Sequence, residues 1–272
     1  MKRVLVTYGD EKYDKAKRML VSTAKKIKYF DQIFDFSPSD IDSEFKKEYA
    51  QILNIKRGNG LWLWKPYFIS TVLNKLNEGD ILFYCDSGAI FLRNPIALEN
   101  EFQSIFVSEI PLIEKQFTKD SVFSTLNCSD EIKNSNQIIA TYLIIKKNSE
   151  SLRIINEWFD LCKKIELLSP SNQKEKEYFI SHREDQSLLS VICKINNIHV
   201  FYDITQRNNL PYTYWNDKYL FNISQSNLKK RKPIIFLHKI ASPNWLKLIL
   251  LWLRQIFDNY YIKYFKINRK KR

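Results

Sequence analysis

The chain has 272 residues, of which 44% are hydrophobic and 14% aromatic, so it can bury a core, and global disorder is excluded. Its formal net charge is +13, but residues 247–272 carry eight basic side chains and one acid, which leaves only +6 for the rest. Residues 1–246 are therefore only mildly basic, and they lack the clustered basic stripe that is typical of a nucleic-acid-binding protein.

The predicted elements alternate along the chain. The predicted strands are KRVLVTYGD (2–10), YFDQIFDF (29–36), ILFYC (81–85), QIIATYLIIKK (137–147), IHVFYD (198–203) and PIIFLHK (233–239). The predicted helices are EKYDKAKRMLVSTAKKI (11–27), SEFKKEYAQIL (43–53), PYFISTVLNKLN (66–77), SESLRIINEWFDLCKKIELL (149–168) and EDQSLLSVICKIN (184–196). This alternation predicts an α/β fold, a single domain over residues 1–240 with a mostly parallel central sheet flanked by helices.

The segment RGNGLWLWKPYFI (57–69) stands out because the chain has only five glycines and places two of them here. Glycine suggests backbone that bends or approaches another group closely. Pro66 indicates that a helix begins near Lys65, where the helix dipole favours anions. The two tryptophans either pack in the core or form an apolar wall for a ligand.

Asp86 follows the apolar strand ILFYC, in GDILFYCDSGA. Ligands of open α/β sheets bind just beyond such strand ends. A carboxylate there either holds Mg²⁺ or Mn²⁺ against a diphosphate or merely caps a turn. No GxGxxG or P-loop motif is present, so any nucleotide is held in another way.

The order of RGNGLWLWKPYFI, GDILFYCDSGA and HREDQSLLSVI (182–192) resembles bacterial polysaccharide-type glycosyltransferases of the GT-A fold. The resemblance implies transfer of a sugar from a nucleotide-sugar donor to a glycan or lipid-linked saccharide acceptor in surface polysaccharide synthesis. It also implies a divalent metal, Mn²⁺ or Mg²⁺. The second acid of the usual DxD motif is missing here, because the motif reads Asp86-Ser87-Gly88.

The resemblance also implies a set of site residues. Asp185 is the candidate general base, since an inverting enzyme needs a carboxylate to take the proton of the acceptor hydroxyl. Arg183 and Lys239 are candidates for phosphate contact. The predicted donor-binding residues are Thr7, Tyr8, Arg57, Lys65, Asp86 and Ser87; the predicted acceptor-binding residues are Asn136, Gln137, His182 and Gln186; and the predicted metal ligands are Asp86 and His238.

The tail, residues 241–272, is predicted to be a basic amphipathic helix that lies on an anionic membrane surface. Its longest wholly apolar run, Leu248 to Leu253, is far below the roughly 20 residues that span a bilayer. Aromatic rings and a closing basic run, NRKKR (268–272), suit the headgroup region. The alternative is a helix that covers the sheet as ordinary core.

The four cysteines form no CxxC pair, and the first apolar run, VLVTY, is too short for a signal peptide. These features predict a cytoplasmic protein, peripheral on the inner face of the cell membrane. Two other functions stay open. One is a non-enzymatic basic protein that binds membranes or nucleic acid, although no nucleic acid partner is expected. The other is a metal-dependent hydrolase, which does not account for the glycine-tryptophan segment.

Overall fold

The computed structural model describes residues 1–224 and 231–267. In these ranges the strands are β1 (Arg3–Tyr8), β2 (Gln32–Phe36), β3 (Ile81–Cys85), β4 (Ala89–Phe91), β5 (Ile105–Ile113), β6 (Asn136–Ile138), β7 (Tyr142–Lys146), β8 (Val200–Phe201) and β9 (Ile235–Leu237). The helices are α1 (Asp14–Lys26), α2 (Ser43–Glu48), α3 (Ala50–Leu53), α4 (Gly58–Leu61), α5 (Trp64–Lys75), α6 (Asp120–Thr125), α7 (Asp130–Asn134), α8 (Ser149–Cys162), α9 (Ile165–Leu168), α10 (Glu184–Ile195) and α11 (Trp245–Tyr261). The predicted basic run 268–272 lies outside the described residues.

Seven strands of the described chain form one sheet, in the order β2-β1-β3-β7-β5-β6, with β8 paired to β5. β1 runs parallel to β2 and β3, and β8 runs parallel to β5. β7 is antiparallel to β3 and β5, and β6 is antiparallel to β5. Five of the seven strands therefore point in one direction, which confirms the predicted mostly parallel sheet of an α/β fold.

Two apolar cores cover the two faces of this sheet. Along β1, Val4 and Val6 point into the core that α5, α8 and α10 complete, whereas Leu5 points into the core on the other face. This alternation follows from the two-residue period of a strand. Because both faces are covered, β3 is apolar throughout and β1 has the consecutive apolar residues Val4, Leu5 and Val6, as expected of strands buried on both sides.

β5 is a nine-residue strand that the sequence patterns did not predict. Its sequence, IFVSEIPLI, contains Pro111, which lacks a backbone donor and is normally confined to sheet edges and bulges. The pairing of β5 with β6 is indeed irregular, because the register shifts between Glu109 and Ile113. The strand tolerates proline at this irregularity, where no ladder hydrogen bond is lost.

Three predicted strands differ from the observed ones. The predicted strand 198–203 is reduced to the two residues of β8. The predicted strand 137–147 is two strands, β6 and β7, which pair with β5 on either side of it. The predicted strand 233–239 is shortened to β9, which pairs antiparallel with β4 in a separate two-stranded sheet. This small sheet holds the segment after β9 against the residues that follow β3, since the backbone N–H groups of His238 and Lys239 both donate to the carbonyl of Gly88.

The predicted C-terminal helix is present as α11, and it contacts the body through both polar and apolar groups. Gln255 accepts a hydrogen bond from the side chain of Gln206 at 3.1 Å, and Asn259 accepts one from the backbone of Tyr212 at 3.0 Å. Leu248 is the buried apolar residue of this helix. No helix in the two described ranges is both long and apolar enough to cross a membrane.

Candidate active site

A cavity of about 760 Å³ opens at the carboxyl ends of β1 and β3, which is a typical size for a ligand-binding pocket. Its wall includes the end of β1, the glycine-tryptophan segment, the residues after β3 and the start of α10, together with residues of β5, of the segment 207–219 and of the end of β9. The wall residues that belong to the predicted site are Tyr8, Arg57, Lys65, Asp86, Ser87, Arg183, Asp185, Gln186 and Lys239.

Residues 58–62 at the edge of this cavity form a left-handed turn. Their φ angles are 59°, 53°, 94°, 52° and 61°, and the backbone N–H of Leu61 donates to the carbonyl of Arg57 at 2.9 Å. Gly58 and Gly60 adopt this conformation freely and Asn59 tolerates it, whereas Leu61 and Trp62 incur about 1–2 kcal/mol each. Strained backbone of this kind concentrates at functional sites.

Aromatic packing and hydrogen bonds hold the turn in place. The indole N–H of Trp64 donates to the carbonyl of Gly58 at 2.9 Å, and the ring of Trp64 stacks on Tyr8 with centroids 3.8 Å apart. The side chain of Asn59 donates to the hydroxyl of Tyr8. Trp64 is buried, so its main contribution is to fix the turn against β1.

An ion cluster of three residues lies in the cavity wall. Lys65, near the start of α5, has a side chain only 4% exposed, and its ammonium lies 2.9 Å from Oδ2 of Asp185 and 3.4 Å from Oδ1 of Asp86. It also donates to the carbonyl of Ala140 at 3.2 Å. The contact with Asp185 is ionic, since its direction falls outside hydrogen-bond geometry. The cluster joins α5, α10 and the end of β3.

Burial and the neighbouring charges shift the pKa values of Lys65 and Asp185. Burial opposes the charge on Lys65, but Asp185 and Asp86 outweigh it and raise the pKa of the ammonium. Burial raises the pKa of Asp185 to about 6, although Lys65 acts in the opposite direction. A carboxyl group that titrates near neutral pH suits proton transfer.

A second ion pair links the left-handed turn to the start of α10. Nε of Arg57 lies 2.5 Å from Oε1 of Glu184, and the guanidinium also lies over the ring of Trp62, 5.7 Å from its centre. Glu184 is buried and has a φ of 37°. Burial raises the pKa of Glu184, and Arg57 opposes this shift. The pair closes the cavity wall between two separate segments.

Gln186 reaches the cavity and is oriented from behind by Gln137. The amide N–H of Gln186 donates to Oε1 of Gln137 at 2.8 Å, and its oxygen accepts from the backbone of Ala140 at 3.3 Å. Gln137 itself is fully buried and bonds to Oε1 of Glu114 at 3.0 Å. It therefore positions Gln186 and does not contact a ligand in the cavity.

The structure does not bring every predicted site residue to the cavity wall. The predicted residues outside the wall are Thr7, Asn136, Gln137, His182 and His238. Both ring nitrogens of His182 bond to backbone, at 3.4 Å to the N–H of Lys119 and at 2.9 Å to the carbonyl of Leu167, and burial lowers its pKa to about 3. Asn136 donates to the carbonyl of Asn222. These two side chains are structural, which corrects their predicted acceptor-binding roles.

The donor set does not fit a divalent metal ion. The ammonium of Lys65 already lies between the carboxylates of Asp86 and Asp185, where its charge repels a second cation. His238 is buried and its ring does not line the cavity. Among residues 1–224 and 231–267, no three His, Cys, Asp or Glu side chains group in a way that could hold a metal. The predicted metal roles of Asp86 and His238 therefore have no matching site.

Sequence reasoning missed part of the wall that comes from the C-terminal third of the chain. Arg207 and Tyr214 both line the cavity, with the guanidinium 4.8 Å from the ring centre. They lie in two short 3₁₀ turns, Gln206–Asn209 and Pro211–Tyr214. The segment has no strand or helix period, and the unusual density of aromatic residues after Arg207 was the one available signal.

No family model and no curated protein matches this chain. Among solved structures, the bifunctional glycosyltransferase WbbM matches with a TM-score of 0.50 and 11% identity, over 88% of this chain and 46% of WbbM. The galactosyltransferase LgtC, solved with donor and acceptor sugar analogues, matches at 0.49 with 10% identity, over 94% of this chain and 95% of LgtC. The glycosyltransferase GlyE of Streptococcus pneumoniae matches with a TM-score of 0.48 and 16% identity, over 94% of this chain and 64% of GlyE. The match to WbbM agrees with the predicted GT-A-like fold, which is confirmed, and at 11% identity the likeness extends to the fold alone.

Proposed function

We propose that this chain is a glycosyltransferase that moves a sugar from a nucleotide-sugar donor to a glycan or lipid-linked saccharide acceptor in surface polysaccharide synthesis. The observation that carries the proposal is the cluster of Lys65, Asp86 and Asp185 at the carboxyl edge of a GT-A-like sheet. Ligands of such sheets bind at this edge, and the cavity has room for a sugar nucleotide.

In the proposed reaction an acceptor hydroxyl attacks the anomeric carbon of the donor sugar. A bond forms from the acceptor oxygen to that carbon, and the bond from the carbon to the phosphate oxygen breaks, with its electron pair leaving on the nucleoside diphosphate. The hydroxyl proton passes to Asp185, whose pKa of about 6 leaves it ionised at neutral pH yet basic enough to accept a proton.

The other residues of the cluster hold this arrangement. Lys65 keeps Asp185 charged in its buried position, because an unpaired buried carboxylate would take up a proton instead. Asp86 has 32% of its side-chain area exposed and faces the cavity, where a carboxylate accepts hydrogen bonds from sugar hydroxyls. Arg57 and Gln186 complete the wall beside it.

The proposal is tested by incubating the full-length protein with a panel of nucleotide sugars and a polyprenyl-diphosphate-linked saccharide. Mass spectrometry then measures the released nucleotide and the extended acceptor. We expect turnover with one donor class and a loss of about 100-fold or more in Asp185→Asn, since a general base contributes 10²–10⁴-fold. Asp160→Asn, on the surface of α8, is the control. No turnover of any donor would contradict the proposal.

We further propose that α11 docks on the cytoplasmic face of an anionic membrane, where a lipid-linked acceptor is presented. The support is the orientation of the helix: Leu248, Gln255 and Asn259 face the body, whereas most of its other apolar residues face outward. The exposed apolar residues of α11 and the turn after it are Trp245, Leu246, Ile249, Leu250, Trp252, Leu253, Phe257, Tyr260, Tyr261, Tyr264 and Phe265. Exposed apolar patches of this extent mark interaction sites.

Basic charge near this face favours a membrane over a protein partner. Lys247 and Arg254 are exposed on α11, and Lys263 and Lys266 follow in the next turn. Anionic lipids contribute about 1 kcal/mol for each basic residue near the surface. Tyrosine and tryptophan rings, which are frequent on this helix, prefer the depth of the lipid headgroups.

A further inference from the structure

Five cationic side chains line the cavity without an acidic partner in the described ranges, namely Lys12, Lys56, Arg183, Arg207 and Lys239. The last three lie near one another, because, beyond the effect of burial, the charges of Arg207 and Arg183 both lower the pKa of the Lys239 ammonium. Arg183 precedes α10, Arg207 lies in the 3₁₀ turn Gln206–Asn209, and Lys239 follows β9. In the described part of the chain, no carboxylate lies within 4.0 Å of any of the three, whereas the buried ammonium of Lys65 has two carboxylates near it. Unpaired cations in a protein cavity are costly unless an anion binds there.

The fold holds the three cations in place by contacts that leave their charge unneutralised. The guanidinium of Arg183 lies 3.7 Å from the ring centre of Phe117 and donates to Oε1 of Gln137 at 3.0 Å. Arg207 lies over Tyr214, and its Nε is buried without a hydrogen-bond acceptor in the described ranges. Aromatic rings and amide oxygens orient a guanidinium without removing its charge.

Lys239 is held beside the strand end that carries Asp86. Its backbone N–H donates to the carbonyl of Gly88 at 3.0 Å, and a side chain on Gly88 would come within 3.1 Å of the Cα of Lys239. Water reaches Lys239 through the cavity, yet the enclosing protein lowers the pKa of its ammonium and the charge of Arg207 lowers it further. A bound anion would reverse this effect and stabilise all three charges together.

We propose that Arg183, Arg207 and Lys239 bind the diphosphate of the donor and neutralise the leaving nucleoside diphosphate without a divalent metal ion. This inference rests on the proposed sugar transfer. Guanidinium groups match phosphate oxygens with two parallel hydrogen bonds, and an ammonium adds a point charge. When the bond from the anomeric carbon to the phosphate oxygen breaks, negative charge develops on that oxygen. Cationic side chains stabilise this charge here, whereas a metal ion does so in metal-dependent enzymes.

The test measures nucleotide binding by calorimetry with the full chain, in EDTA and in Mn²⁺. The probes are the uridine, guanosine, adenosine and cytidine diphosphates, each paired with its monophosphate. We expect one diphosphate to bind in EDTA about tenfold or more tightly than its monophosphate, because hydrogen bonds to charged groups contribute about 1.5–3 kcal/mol. Mn²⁺ should change its dissociation constant less than about threefold, since the site offers no metal ligand set.

Two variants test whether the cationic side chains cause the preference for diphosphate over monophosphate. In Arg207→Gln and Lys239→Met the diphosphate preference should fall by about fivefold or more, while Arg207→Lys, which keeps the charge, should retain most of it. Arg153→Gln, exposed on α8, is the matched control and should leave the preference unchanged. The melting temperatures of Arg207→Gln and Lys239→Met without ligand should equal or exceed that of the parent, because each removes one of several repelling charges.

The outcomes separate this inference from the function on which it rests. Diphosphate binding that requires Mn²⁺, or a preference that survives both variants, overturns the inference and leaves sugar transfer intact. Failure of every diphosphate to bind in either buffer overturns the inference and the donor class together. Cation-dependent binding in EDTA without turnover of any nucleotide sugar supports the inference and contradicts the proposed function.

Discussion

The ammonium of Lys65 lies 2.9 Å from the carboxylate of Asp185, with 4% and 6% of the two side chains exposed. Neither charge would be tolerated alone at this depth, because desolvation of an ion costs several kcal/mol. The pair therefore ties the first turn of α5 to the first turn of α10 and keeps two functional groups charged in an enclosed site.

Lys65→Met is expected to destabilise the protein by about 3–5 kcal/mol, because it leaves Asp185 buried and unpaired. Urea unfolding at pH 7 measures the change. The matched control is Lys163→Met, which breaks the surface pair with Asp160 and should cost about 0–1 kcal/mol. Equal effects in the two variants would show that the buried pair does not stabilise the fold.

The pH dependence of stability should change in Asp185→Asn. Folding raises the pKa of Asp185 from 3.8 to about 6, so the folded state holds its proton more tightly than the unfolded state. The stability that this group contributes is full below about pH 4 and is lost as the pH rises to about 6. The free energy of unfolding, measured by urea from pH 4 to 7, should fall more steeply with rising pH in the parent than in Asp185→Asn. Identical slopes would reject the raised pKa.

These site residues show what local sequence signals can reveal. Asp86 is predicted because a carboxylate follows a buried strand, whereas the role of Asp185 comes from the resemblance, since an acid in the first turn of a helix is by itself an ordinary structural feature. Arg207 has no such signal, since its 3₁₀ turn has no period and its position depends on the packing of distant segments. The bend of residues 58–62 was expected from Gly58 and Gly60, but the left-handed backbone of Leu61 is imposed by tertiary packing and opposes its own preference.

The same distinction applies to the fold. Strands with continuous apolar runs, such as β1 and β3, were predicted because both of their faces are buried. β5 was missed because Pro111 interrupts it, and only the irregular pairing with β6 makes proline acceptable there. The roles of His182 and His238 depended on their surroundings, which a single sequence does not specify.

Gly60→Ala should destabilise the protein more than Gly79→Ala. Both glycines have positive φ, 94° and 83°, so an alanine at either is strained by about 1–2 kcal/mol. A Cβ at position 60 would also lie 2.9 Å from the Cα of Leu53, whereas one at position 79 would meet no atom within 4 Å. Overpacking adds about 1–3 kcal/mol, so urea unfolding should separate the two variants by that amount. Equal losses would mean that the turn relaxes freely.

Asp86→Ala should strongly reduce sugar transfer while leaving the protein folded. Lys65 keeps Asp185 as a partner, but the buried hydroxyl of Tyr84 loses Asp86 as its hydrogen-bond acceptor, so the loss of stability should be about 1–3 kcal/mol. Turnover should fall by about 100-fold or more, since misplacement of a substrate by 1 Å can have that effect. Asp130→Ala, which removes an exposed partner of Lys133, is the control for both measurements. Turnover that survives in Asp86→Ala would remove this residue from the donor site.

The last prediction concerns the outward apolar face of α11. Leu246, Leu250 and Leu253 follow one another at helical spacing and are 66%, 57% and 54% exposed, so their replacement by glutamate should leave the body folded. The triple variant should lose binding to vesicles of phosphatidylglycerol, because it removes buried apolar area and places negative charge against anionic lipid. Sedimentation with these vesicles, and with neutral phosphatidylcholine vesicles for comparison, measures the change.

The control for this experiment must carry the same change in charge at a different surface. Leu92, Ile96 and Leu220 are exposed apolar residues outside α11, and their triple replacement by glutamate serves this purpose. Point variants are preferable to a chain ending near residue 242, because removal of α11 would also uncover Gln206 and the backbone of Tyr212, which the helix now satisfies. If α11 docks on a membrane, only the α11 variant should lose sedimentation. Equal sedimentation of the parent and both triple variants would reject membrane docking. So would the absence of sedimentation by the parent when anionic lipid is present. Either result would indicate that the exposed leucines bind a protein partner instead.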